Sequence, residues 1–118
     1  GLVDVVVAGA DRIARNGDTA NKIGTLTIFG LAKIFGIPAY IVAPVTSFDA
    51  DTPAGDAIPI EVRSEAEVLK IGDVSVAPGG ARAFNPAFDV TPAAFITAFI
   101  TDKGVYGPGQ LTELFRQK

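Results

Sequence analysis

The chain has 118 residues, 48 % of them apolar and 19 % charged, and its ten basic and thirteen acidic side chains leave a net charge of −3. That length accommodates one domain, residues 1–118, able to bury roughly two thirds of its unfolded surface, and the apolar share excludes a disordered chain. Histidine, cysteine, methionine and tryptophan are all absent, which excludes thiolate and imidazole metal sites, cysteine nucleophiles and histidine-based triads.

Lys and Arg are scattered along the chain, so no basic footprint for nucleic acid or an acidic membrane surface forms. No run approaches the roughly 18 consecutive apolar residues of a bilayer span, and no signal-peptide pattern opens the chain. A cytosolic protein is expected. Gly1 stands directly before a strand-like run with no initiating Met, which suggests a portion of a longer or processed polypeptide.

Leu2 to Ala8 (LVDVVVA) is a β-branched apolar run closed by Gly9, the pattern of a strand buried in a parallel sheet. Asp11 to Asp18 (DRIARNGD) is polar and glycine-punctuated and reads as the loop at that strand's carboxyl end. From Thr19 to Phe35 the spacing of Ile23, Leu26, Gly30 and Ile34 predicts a helix, capped by Asp18 or Thr19 and stopped by Gly36. Ile28, Phe29, Leu31 and Phe35 make its other side apolar too, which predicts a contact with another element or an oligomer partner.

Ala39 to Ala43 (AYIVA) reads as a second buried strand, completing a strand-helix-strand unit. A loop then carries Asp49, Asp51 and Asp56, and Ile58 to Val62 is extended. Ser64 to Glu67 resembles a capping box opening a short helix to about Ile71. Beyond the glycine- and proline-rich stretch Asp73 to Arg82, Ala83 to Val90 is extended. Thr91-Pro92 signals a helix to Asp102, and Gln110 to Phe115 closes the chain as an amphipathic turn.

Ligands of open α/β sheets bind beyond the carboxyl ends of the strands, so the candidate site is Gly9 to Lys22. Amides at the predicted helix start, reinforced by Lys22, suit a phosphate or carboxylate, although neither the dinucleotide fingerprint nor the Lys-bearing phosphate loop is matched. Asp11 lies two residues beyond Gly9, where apolar walls would favour the protonated carboxyl that a general acid needs. On spacing alone the plainer readings are favoured: Asp11 as a loop aspartate paired with Arg12 or Arg15 or capping a turn, Asn21 as a surface polar residue and Lys22 as a solvated lysine. The aspartates of the later loop have no ligand framework, so no metal is expected.

The run Gly9-Ala10-Asp11-Arg12-Ile13, followed by Asn16-Gly17-Asp18-Thr19-Ala20-Asn21-Lys22-Ile23-Gly24-Thr25, resembles the signature of the methylthioribose-1-phosphate isomerase family, aldose-ketose isomerases of methionine salvage. The likeness extends through Ile37-Pro38, Ala43-Pro44, Ile58-Pro59-Ile60-Glu61, Asn85 to Pro92 and Ile100 to Val105. It implies the C-terminal portion of a Rossmann-like, doubly wound α/β domain with a mostly parallel sheet. It further implies Asp11 as catalytic acid/base, Asn21 and Lys22 as contacts to the phosphate of 5-methylthioribose 1-phosphate, no cofactor, and a homodimer. The family's catalytic cysteine and further arginines lie upstream of this region, which implies a missing N-terminal portion as partner. Ribose-1,5-bisphosphate isomerases and the non-catalytic regulatory subunits of the initiation-factor exchange factor are similar as well. Asp11 is the residue that favours the methylthioribose enzymes.

Overall fold

A computed structural model describes residues 1–117. The first apolar run is a strand only in its second half, β1 (Val6–Ala8), and two strands that the polarity of the next stretch hides follow it, β2 (Arg12–Ala14) and β3 (Thr19–Lys22). Helix α1 (Thr25–Ile34) therefore starts six residues later than the apolar spacing predicts. The cause is local: Gly24 has φ +106, a left-handed conformation that no helix interior accommodates, and Thr19–Lys22 are held by strand pairing on both sides. At the other end Gly36, at φ +66, stops the helix as expected.

Then come β4 (Ala39–Val42), a 3-10 turn at Val45–Ser47, and the two-residue β5 (Phe48–Asp49). Pro59 to Asn85 is a largely exposed excursion carrying α2 (Ala66–Leu69) and the hairpin β6 (Lys70–Ile71) and β7 (Val74–Ser75). Half of the expected capping box forms. Ser64 Oγ accepts from the Ala66 amide at 3.2 Å, but the Glu67 carboxylate is taken by Arg63, at 2.7 Å from Nη2.

The chain returns through β8 (Phe88–Thr91). The helix expected over Pro92 to Asp102 is instead one 3-10 turn, Ala93–Phe95, and a strand, β9 (Ala98–Thr101). Pro92 is extended at ψ 142, and Ala98, Phe99 and Ile100, the last two β-prone, pair with β4 rather than coiling. Strand β10 (Gly104–Tyr106) and helix α3 (Leu111–Gln117) complete the described chain.

The fold is mixed α/β. Strands β1, β4 and β9 run parallel, with β10 antiparallel at one edge. A second sheet, in the order β5-β2-β3-β8, has a parallel β2–β5 pair and antiparallel pairs otherwise. The main core gathers one side of each: Ala39, Ile41 and Phe99 from the first sheet, Ile13 and Phe48 from the second, Phe29 and Ala32 from α1, and Leu111 and Leu114 from α3. Phe48 stands edge-on to Phe99 with ring centroids 5.6 Å apart, a geometry that adds to their burial.

The opposite face of the first sheet is uncovered: Val7, Val42 and Val105 are 59 %, 44 % and 64 % exposed. Crossover packing ordinarily buries both faces of a parallel sheet, so this apolar face is of the kind that packs against further polypeptide. On α1, Ile28, Leu31 and Phe35 are also exposed along one side.

Candidate functional site

Strands β1 and β4 end side by side, and the segments leaving their carboxyl ends form a groove of about 500 Å³ lined by Asp11, Arg12, Thr46, Ser47, Phe48 and Asp49, among others. Asp102, just past β9, accepts the Val45 amide at 2.8 Å and so ties down the 3-10 turn that brings Thr46 and Ser47 to the groove. The groove thus lies beyond the strand ends, where open α/β sheets bind ligands, and takes in Asp11 and Arg12 of the stretch Gly9 to Lys22.

Asp11 is exposed at this groove, so the apolar walls expected around it are not supplied by the described residues. It is not paired with Arg12 either. Arg12 Nη1 stands 3.6 Å from Asp49 Oδ2. Hydrogen bonds from the Thr52 hydroxyl and the Asp51 amide, with Arg12 adding its charge, hold the Asp49 carboxyl below its ordinary value. Asp49 is therefore committed to shaping its own loop. Among the described residues, no three acidic side chains gather as a cation site.

The Asp11 amide donates to the carbonyl of Ala20 at 2.8 Å, the residue that Arg12 faces in the β2–β3 ladder. Asp11 and Arg12 thus both stand against Ala20, as at a bulge, which leaves Asp11 at the edge of the β2–β3 pair and beside the end of β3 that carries Asn21. Asn21 and Lys22 are the last residues of β3, not the first turn of a helix. Alternation puts Lys22 on the other face, opposite Phe88, with its Nζ 6.0 Å from that ring's centroid. Asn21 Nδ2 donates to Thr25 Oγ1 at 3.0 Å, and Thr25 Oγ1 donates to the Lys22 carbonyl at 2.7 Å. A closed side-chain loop thus ties the end of β3 to the first residue of α1.

Two aspartates escape sequence reasoning. Asp18, considered above as a helix cap, accepts from Asn16 Nδ2, from the Gly55 amide and from the Ala93 amide, each at 2.9 Å. Burial pushes its carboxyl up, but these three hydrogen bonds outweigh burial and hold it below the usual carboxylate range. Asp89, from β8, accepts from the Gly24 amide at 2.7 Å and the Leu26 amide at 3.1 Å. Two amides at the start of α1 are therefore occupied by a side chain of the protein itself, while Thr19 to Lys22, whose amides the spacing offers to a phosphate, form β3 rather than a helix start. The available signal was an acid alternating with apolar residues in the Phe88–Thr91 strand.

Asp11 thus lines a strand-end groove of an α/β fold, whereas Asn21 and Lys22, at the end of β3, are not among the residues that line it. The initiation factor 2 subunit family matches residues 2–108, and the chain belongs to that family. Among its relatives, the methylthioribose-1-phosphate isomerase of Heliobacterium modesticaldum is 55 % identical over 96 % of this chain and 33 % of its own length. That of Carboxydothermus hydrogenoformans is 56 % identical over 92 % and 32 %. The structure of 5-methylthioribose 1-phosphate isomerase from Pyrococcus horikoshii matches all of this chain and 34 % of that one, with a TM-score of 0.91 at 48 % identity. Translation initiation factor eIF-2B subunit delta from A. fulgidus matches 98 % of this chain and 34 % of its own, with a TM-score of 0.88 at 39 % identity. The chain spans about a third of the length of these relatives.

Proposed function

We propose that this chain carries the proton-transfer and phosphate-holding part of an aldose-ketose isomerase that converts 5-methylthioribose 1-phosphate to 5-methylthioribulose 1-phosphate. The observation that carries the reading is the 55 % identity with the Heliobacterium modesticaldum relative over 96 % of the chain. The backbone bond between Asp11 and Ala20 supports it, because it keeps the carboxyl and the Asn21 amide on adjoining strands.

The anomeric carbon of the substrate bears the phosphate, so its ring does not open freely to an aldehyde. In the reaction the C1–ring-oxygen bond breaks, the ring oxygen gains a proton, the hydrogen on C2 passes to C1, and the 2-hydroxyl loses its proton as C2 becomes a carbonyl. No electrons are gained or lost overall, so no redox cofactor is required. Asp11 exchanges the proton at an oxygen of the sugar, while Asn21 and Lys22 fix the phosphate so that this oxygen stays within reach. Further contacts to the sugar come from a partner segment outside this chain. The exposed side of α1 is the proposed dimer contact.

A non-catalytic, phosphosugar-sensing subunit is the second reading, favoured by the likeness to the A. fulgidus subunit. Asp11→Asn and Lys22→Ala, made in the polypeptide that carries the chain, separate the two. On the isomerase reading, Asp11→Asn lowers turnover by about 10²-fold or more while the phosphate ester still binds, and Lys22→Ala weakens binding first. A binding loss from Asp11→Asn equal to its rate loss sinks the acid/base role, and a wild-type protein that binds the ester without turnover favours the second reading.

A further inference from the structure

Strand β3 must become helix α1 within two residues, Ile23 and Gly24, and the point at which the helix begins decides where the end of the strand lies. The Lys22 side chain is directed to Phe88, with its ammonium 6.0 Å from the ring centroid, and its charge acts on the Glu67 carboxylate. Asn21 is held through Thr25, itself the first residue of the helix. The anchor comes from outside the segment. Asp89 sits directly opposite Asn21 in the β3–β8 ladder and spans the turn with both carboxylate oxygens, one on the Gly24 amide and one on the Leu26 amide. Charge-assisted bonds of this kind are about twice as strong as neutral ones, and a carboxylate at a helix N-terminus is further favoured by the helix dipole.

We infer that Asp89 is a positioning residue for phosphate binding: it sets the strand-to-helix turn that presents Asn21 and Lys22, and it occupies the Gly24 and Leu26 amides, so that the two side chains rather than these amides contact the phosphate. The inference rests on the proposed phosphate role of Asn21 and Lys22. It has a distinctive consequence. Asp89 never meets the ligand, so its removal harms phosphate binding only through the residues it orients.

The test uses the polypeptide that carries this chain, with KM for the phosphosugar, kcat, and the inhibition constant of inorganic phosphate measured for Asp89→Ala, Asp89→Asn, Lys22→Ala and the double variant Asp89→Ala/Lys22→Ala. Asp89→Ala is expected to raise both KM and the phosphate inhibition constant about tenfold with kcat within about threefold, and Asp89→Asn, which keeps one acceptor, to recover part of the loss. In the Lys22→Ala background the same change adds less than in the wild type, because only the share acting through Asn21 remains, the signature of one residue acting through others. Should Asp89→Ala fail to fold, Gly24→Ala perturbs the same turn from a position where an added Cβ meets nothing within 4 Å, and the same rise in the phosphate constant is expected. An unchanged phosphate constant in folded Asp89→Ala or Gly24→Ala, with Lys22→Ala impaired, overturns the positioning role. An unchanged constant in Lys22→Ala overturns the phosphate clamp itself, and the positioning role with it.

Discussion

Asp18 joins three segments distant in sequence, the β2–β3 turn, the Gly55 turn and the Ala93 turn that precedes β9, through one half-buried carboxylate. Space there is tight, since a Cβ on Gly55 would run into Val90 and Asp18 itself. Removing the carboxylate strands two backbone amides, so Asp18→Ala is expected to destabilise the protein by about 2–3 kcal/mol in urea unfolding. The pH dependence follows from the direction of its shift. Because the folded carboxyl titrates below its unfolded value, its contribution is complete above about pH 4 and is lost as pH falls through the folded value. Wild-type melting temperature should therefore drop across that acid window more than that of Asp18→Asn, and equal acid slopes in the two proteins would contradict the assignment.

At the scale of elements, what could be read in advance was what announces itself locally. The β-branched run ending at Ala8, the AYIV strand, the Gly36 stop and the closing helix all follow from composition over a handful of residues. Strands β2 and β3 were hidden because three- and four-residue strands with Arg, Asn and Lys among them show no alternation, and only pairing across the sheet defines them. Pro92 misled because a proline at a helix start and a proline before a single 3-10 turn look alike in sequence. The site was legible in part. Asp11, Asn21 and Lys22 stood out through family likeness, whereas Asp18 and Asp89 take their meaning from amides 37 to 75 residues away. Strand β9, misread as helix, supplies the fully buried Phe99. Phe99→Ala should cost about 3–5 kcal/mol in urea unfolding, since it empties the junction of both sheets and α3; a cost under about 1 kcal/mol would mean that the two sheets do not share one core.

For the molecule as a whole, one face of the parallel sheet and one side of α1 remain apolar and open, and the curated relatives are about three times as long as this chain. Both facts fit a chain that supplies a groove and part of a catalytic set, the other contacts coming from further polypeptide. No helix among the described residues is long and apolar enough to cross a membrane, so these faces are not those of a membrane-spanning helix. The most direct test is the turnover of 5-methylthioribose 1-phosphate by the 118-residue chain alone and by a chimera in which it replaces the matching third of the Heliobacterium modesticaldum relative. The account predicts conversion to the ketose by the chimera and none by the isolated chain. Turnover by the chain alone, or a folded chimera that binds the phosphate ester without isomerising it, would contradict it.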